Sequence, residues 1–294
     1  MSSTRKKTNK RNTKRKKISK REKNTKTKKR KVRVSKSNSD IERGTLMKGA
    51  LGYMKRLQKE HKIVDIPFSE SQSKGTAATL GDVHFHYQNY SNVMEYFHKI
   101  DHPSVCFFEE GKAFLNLRID DMKMGIYPLE HNETSFKHNL MKCLKSNNRF
   151  IPVILNLITN DGNHANILLI DKNDKIIELY EPHGSRPVQS VLGGIKGAYN
   201  KKIGEVRRFW RRILPGYKVI NVVDFKRGTH FQMEYDPDNH SGFCVTWSIL
   251  FVHYRLLNPH VKLENLVKYI AARVTTTKLL QYAKYVEDNI KNKK

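Results

Sequence analysis

The residue with the clearest chemical potential is Cys244, which opens a strongly apolar stretch that ends at Leu257, before Asn258 and Pro259. This pattern predicts a buried helix with Cys244 at its N-terminus. Exposed N–H groups and the helix dipole favour negative charge there, and a cysteine reacts as its thiolate. The position therefore favours a nucleophile, and the alternative is a small buried core residue.

A histidine and a glutamate stand at the ends of two neighbouring predicted strands. The segments 150–158, 164–171 and 175–181 are apolar runs of strand length joined by two short turns, which predicts an antiparallel meander. Antiparallel pairing places the start of one strand beside the end of the next, so His164 should lie close to Glu181. A carboxylate in that place would orient an imidazole that acts as a base. The alternative is a hairpin with polar residues at its open end.

Other residues compete for these roles. Glu178 is an alternative to Glu181, although strand alternation puts the two on opposite faces. His183 and His240 are alternative bases. His84 and His86 have the alternate spacing of two metal ligands, but no further ligands follow with recognisable spacing, so we predict no metal and no cofactor.

The elements that must position these residues mix helices and strands. Besides the meander, we predict helices over 41–61 (capped by Asp40), 92–98, 134–145, 201–213 and 244–257, strands over 113–119 and 218–225, a loop over 67–78, and one or two C-terminal helices. This order indicates an α+β fold in which an antiparallel-rich mixed sheet packs on a buried helix that carries Cys244.

The N-terminal segment has a different composition. Residues 1–36 contain 19 of the 56 Lys and Arg residues and one of the 28 acidic residues, so this segment supplies +18 of the formal charge of +28. With almost no apolar residues, residues 1–39 are predicted to be a disordered basic tail, followed by a single domain over 40–294. Such a tail favours nonspecific binding to nucleic acid, and a nuclear-localisation or solubility tail is the alternative. A second basic stripe, Arg207–Arg212, is interpreted as a solvated helix face.

Two further expectations concern the compartment. No apolar signal region and no run long enough to span a bilayer is seen, so we predict a soluble protein without a membrane partner. Cys106, Cys143 and Cys244 are odd in number and form no CxxC pair. They are therefore predicted to be reduced thiols of an intracellular protein, with Cys106 and Cys143 as inert packing residues.

These motifs resemble a known group of enzymes. The segments Asn163–Asp171, Ile177–Gly184 and Gly242–Ser248, with Gln232 between the last two, are similar to the thiol proteases of large DNA viruses. Those proteases resemble the adenain-like and SUMO-deconjugating cysteine peptidases of clan CE. The resemblance covers about 150–259 and implies Cys244 as nucleophile, His164 as base, Glu181 as orienting carboxylate and Gln232 as oxyanion-hole donor.

The sequence also departs from that family. Ala165 replaces the aromatic residue that follows the histidine in many cellular members, and Gln232 lies 12 positions before Cys244, farther than in those members. These departures bear on the role of Gln232 and on any SUMO-like specificity.

The function implied is a cysteine endopeptidase that hydrolyses protein amide bonds at glycine-containing sites, such as those of viral precursor proteins, in host cytoplasm, nucleus or virion. Two alternatives stay open. One is an acetyltransferase with a similar His/Glu/Cys set, and the other is a basic nucleic-acid-binding virion protein with a degenerate peptidase fold.

Overall fold

The computed structural model describes residues 38–67, 104–108, 114–120, 123–128, 133–159, 162–182, 198–225, 244–274 and 276–291. Contacts divide the chain into two units, Met1–Arg43 and Gly44–Lys294. The basic tail predicted over 1–39 lies outside the described residues as far as residue 37, and its last two residues, Asn38 and Ser39, begin the first described helix. The predictions for the loop from residue 68 and for the helix over 92–98 also lie outside the described residues. The same holds for His84, His86, His183, Gln232 and His240.

Six strands form one mixed sheet in the order β2-β1-β3-β4-β5-β6. The strands are β1 (Phe114–Asp120), β2 (Lys123–Pro128), β3 (Phe150–Thr159), β4 (Gly162–Asp171), β5 (Ile176–Tyr180) and β6 (Lys218–Asn221). The pairs β1/β2, β3/β4 and β4/β5 are antiparallel, whereas β1/β3 and β5/β6 are parallel. The predicted antiparallel-rich mixed sheet is confirmed, and the meander over β3, β4 and β5 forms its centre.

The described helices are α1 (Asn38–His61), α2 (Glu133–Lys145), α3 (Ala198–Ile213), α4 (Cys244–Leu257), α5 (Leu263–Arg273) and α6 (Thr276–Lys291). Every residue of α4 from Cys244 to Leu256 is buried, as its strongly apolar sequence predicts. The α+β class is therefore confirmed, with the Cys244 helix inside the core.

Helices cover both faces of the sheet at β4 and β5. Tyr180 of β5 stacks on Phe251 of α4 at a centroid distance of 4.5 Å, and Ile167 of β4 is the direct partner of Tyr180, so both face α4. The next residue of β4, Asn166, points to the opposite face because side chains alternate along a strand. There it accepts a hydrogen bond from Lys202 of α3.

Two predicted boundaries were wrong. Helix α1 begins at Asn38, so Asp40 lies within the helix and does not cap it. The strand predicted over 218–225 ends at Asn221, and Val222–Phe225 form a 3-10 helix. Strand β6 pairs with Ile176–Leu179 of β5, and this ladder ends one residue before β5 does, at Asn221.

The prediction of three reduced cysteines was also wrong. Cys106 and Cys143 form a disulfide, with their Cα atoms 5.5 Å apart and 37 positions apart in sequence. Val105 bridges to Phe150 at the start of β3, and the chain enters β3 directly from the end of α2, which carries Cys143. This tertiary neighbourhood brings the two thiols together, and sequence spacing does not reveal it.

No described helix combines the length and the apolar composition that crossing a bilayer requires.

Candidate active site

Cys244 is the first residue of α4 and is buried, with 6% of its surface exposed. The backbone N–H of Ala165 in β4 donates a hydrogen bond to its Sγ at 3.5 Å, across 79 positions of sequence. Of the three cysteines, Cys106 and Cys143 are joined in a disulfide, and Cys244 retains its thiol. The helix therefore delivers a thiol to the start of β4, where His164 lies.

His164 and Glu181 are in direct contact. His164 Nε2 and Glu181 Oε1 are 2.6 Å apart, and both side chains are about 95% buried. The register explains this contact: Ile167 pairs with Tyr180, so the same register continued by one residue sets Glu181 across from Asn166, two positions along β4 from His164 and on the same face. The predicted juxtaposition at the end of the hairpin is confirmed.

His164 also hydrogen-bonds to the Cys244 side chain. Cys244, His164 and Glu181 thus form a continuous hydrogen-bonded series in which the imidazole lies between the thiol and the carboxylate. The structure brings together three of the four residues predicted for the site, and Gln232 lies outside the described residues.

The charges in this series favour a thiolate and an imidazolium. Burial lowers the pKa of His164, but the charges of Glu181 and Cys244 outweigh it and raise that pKa from 6.5 to about 9. Burial raises the pKa of the Cys244 thiol, yet the neighbouring His164 cation and the Ala165 N–H hold it below its ordinary value. The thiol and the imidazole therefore stabilise each other's charged form.

Sequence reasoning missed a fourth side chain, Lys202 of α3. Its Nζ donates to Glu181 Oε2 and to Asn166 Oδ1, the latter at 2.6 Å, and only 1% of the residue is exposed. A helix-face signal could have revealed it, because Lys202 lies four residues before Val206 and eight before Trp210, both fully buried. A lysine on the core-facing stripe of an amphipathic helix needs a buried partner.

Glu178, the alternative to Glu181, belongs to a different group. Its carboxylate accepts hydrogen bonds of 2.9 and 3.1 Å from Nε of Arg255, in the last turn of α4. Burial raises the pKa of Glu178 to about 7, although Arg255 opposes that change. Glu178 and Glu181 face different partners, as the predicted alternation requires.

The described residues contain no group of three or more His, Cys, Asp or Glu side chains that could hold a metal ion. The described site brings a thiol, an imidazole and a carboxylate into one hydrogen-bonded series. Nucleophilic catalysis by a side chain requires three groups of these kinds within hydrogen-bond reach of one another.

Comparisons with known proteins add little to this geometry. No family model matches the chain. A protein of Acanthamoeba polyphaga mimivirus that is named for ankyrin repeats (L371) is 25% identical over 142 residues; the match covers 41% of this chain and 17% of that protein's length.

Two solved structures of ChlaDub1, an effector protein of Chlamydia trachomatis, are similar to the chain. One is 11% identical with a TM-score of 0.36 over 53% of this chain and 66% of its own. The other is 10% identical with a TM-score of 0.39 over 89% and 96%. At these scores the likeness supports no conclusion about activity.

Proposed function

We propose that the chain is a cysteine peptidase with Cys244 as nucleophile, His164 as base and Glu181 as orienting carboxylate. The observation that supports this proposal is the buried series in which His164 contacts Cys244 on one side and Glu181 on the other. A small buried cysteine with a purely structural role would not require an imidazole–carboxylate pair beside it. Helix packing alone does not explain that pair either.

In the proposed reaction the Cys244 thiolate attacks the carbon of a scissile carbonyl and forms a tetrahedral oxyanion. Collapse of that intermediate breaks the C–N bond as the His164 imidazolium gives its proton to the leaving amine, which produces a thioester. Water, deprotonated by His164, then attacks the thioester and releases the acid and the thiolate. Glu181 holds Nε2 throughout and so keeps the other ring nitrogen, Nδ1, directed towards the sulfur.

The oxyanion needs hydrogen-bond donors. The backbone N–H of Cys244 stands at the first position of α4, where the helix dipole favours negative charge, and belongs in that role. The family resemblance adds Gln232 as the second donor. It also favours a protein substrate cleaved at a glycine-containing site, viral precursor proteins as a substrate class, and a site of action inside the host cell or the virion.

Labelling with a covalent probe tests the proposal. We expect a glycine-ending peptide vinyl sulfone to add one probe mass to the native protein, at Cys244, and to add none to Cys244→Ala. Removing the Cys244 thiol deletes one small group near a helix end, so Cys244→Ala should unfold at nearly the native temperature. His164→Ala is the second control and should react far more slowly, because the thiol loses its base.

Three results would contradict the proposal. The first is addition of the probe to a residue other than Cys244, and the second is labelling that persists in Cys244→Ala. The third is a native protein that the probe does not label although Cys244 reacts with it in denaturant. Transfer of an acetyl group from acetyl-coenzyme A without peptide hydrolysis would favour the acetyltransferase alternative instead.

A further inference from the structure

Lys202 is only 1% exposed, which is less than the exposure of Glu181 or His164. A lysine is almost never fully buried unless it is paired, because removing the ammonium from water is costly. Here the ammonium donates one hydrogen bond to Glu181 Oε2 and one to Asn166 Oδ1. The two oxygens of Glu181 are therefore divided, with Oε1 on His164 and Oε2 on Lys202.

This division has a consequence for charge. When Cys244 is a thiolate and His164 is protonated, the buried set of Cys244, His164, Glu181 and Lys202 carries two negative and two positive charges. Without the lysine, the same state would leave one negative charge uncompensated in the protein interior, which is strongly unfavourable. The neutral arrangement of the remaining three groups is a protonated thiol beside an imidazolium–carboxylate pair.

We propose that Lys202 is a positioning residue that acts through Glu181. Its ammonium fixes the carboxylate with Oε1 towards His164 and supplies the charge that lets the Cys244 thiolate exist beside the imidazolium. The inference rests on the proposed function, since it assigns Lys202 a part in preparing that same nucleophile. It adds a fourth member, from α3, to a site otherwise built from β4, the end of β5 and α4.

Among the described residues, the titratable groups of this set come from each of those elements: His164 on β4, Glu181 after β5, Cys244 on α4 and Lys202 on α3. Tyr180 of β5 faces α4 but adjoins Glu181 in sequence and feels its charge. Burial and the adjacent Glu181 charge both raise the pKa of Tyr180 well above its ordinary value, so its hydroxyl stays neutral through the range in which the thiol titrates.

Titration of the Cys244 thiolate by its ultraviolet absorbance tests this role, because it needs neither a substrate nor access to the sulfur. Each protein is compared with the same protein carrying Cys244→Ala, and the absorbance of the latter is subtracted to remove the contribution of ionising tyrosines. We expect Lys202→Met to raise the midpoint of thiolate formation by about one pH unit, so that roughly tenfold less thiolate is present at a fixed pH below it. Lys202→Arg keeps the positive charge and should therefore restore most of the lost thiolate.

A second uncharged variant distinguishes the loss of charge from misfolding of the core. Lys202→Gln keeps a hydrogen-bond donor for Glu181 and removes the charge, so it should raise the midpoint in the same direction with less disturbance of the core. If the midpoint is unchanged in Lys202→Gln, or if Lys202→Arg behaves like the uncharged variants, then Lys202 is a structural ion pair and the inference is wrong. The result is independent of peptidase activity: failure of probe labelling with a shifted titration would refute the proposed function and leave Lys202 as the residue that controls the thiol.

Discussion

Replacing Glu181 by glutamine tests the centre of the site, because the change keeps the side-chain shape and removes one charge. In the native protein the pKa of His164 is about 9 instead of the ordinary 6.5. That difference corresponds to about 3 kcal/mol of extra stabilisation of the imidazolium, since one pKa unit is worth about 1.4 kcal/mol. The Glu181 charge is the largest contribution to the increase, ahead of the Cys244 thiolate.

We therefore expect Glu181→Gln to lower the pKa of His164 by about two units, so that the protonated fraction at neutral pH falls from nearly all to roughly half. Two pKa units correspond to about 2.7 kcal/mol of lost imidazolium stabilisation, and where that loss is felt in the transition state kcat/KM on a peptide substrate should fall by up to about a hundredfold. His164→Ala should fall further, because it removes the base itself. The variant should also lose stability, since the buried Lys202 would have no carboxylate partner.

The direct assay is an NMR titration of His164 with and without Glu181→Gln, in a Cys244→Ala background that removes the thiolate contribution. Glu264→Gln is the matched control, because it makes the same chemical change to an exposed glutamate of α5 whose carboxylate is paired with Lys268. An unchanged His164 midpoint, or a Glu181→Gln enzyme as active as Glu264→Gln, would refute the reasoning.

Three further outcomes are expected. Activity on a small peptide should rise as pH increases through the lowered pKa of Cys244 and fall as His164 loses its proton near pH 9, and a profile without an alkaline fall would contradict the imidazolium role. Deleting residues 1–36 should abolish most salt-sensitive DNA binding and leave hydrolysis of a small peptide nearly intact; equal binding by both proteins in a low-salt titration would point to the Arg207–Arg212 face instead. Reducing the Cys106–Cys143 disulfide, which closes a loop of 37 positions, should lower the free energy of unfolding by up to about 4 kcal/mol in urea titrations, whereas an unchanged midpoint with reductant would show that the cross-link is absent in solution.

The positions of His164 and Glu181 could be predicted from sequence because their elements are encoded locally. Alternating and apolar runs with two short turns define a hairpin, and a hairpin fixes which residues share its end. The same is true of α4, whose strongly apolar sequence predicts burial and whose first residue is Cys244. In each case the relevant neighbours are a few residues away along the chain or across one turn.

The contacts that complete the site depend on tertiary structure. Ala165 contacts Cys244, which lies 79 positions later in the sequence. Lys202 of α3 lies 21 positions after Glu181 and contacts it. The parallel pairings of β1 with β3 and of β5 with β6, and the Cys106–Cys143 disulfide, likewise join segments that no turn connects. Local patterns fix which residues an element exposes and buries, but the packing of distant elements chooses their partners, and here that packing placed a buried lysine behind the carboxylate.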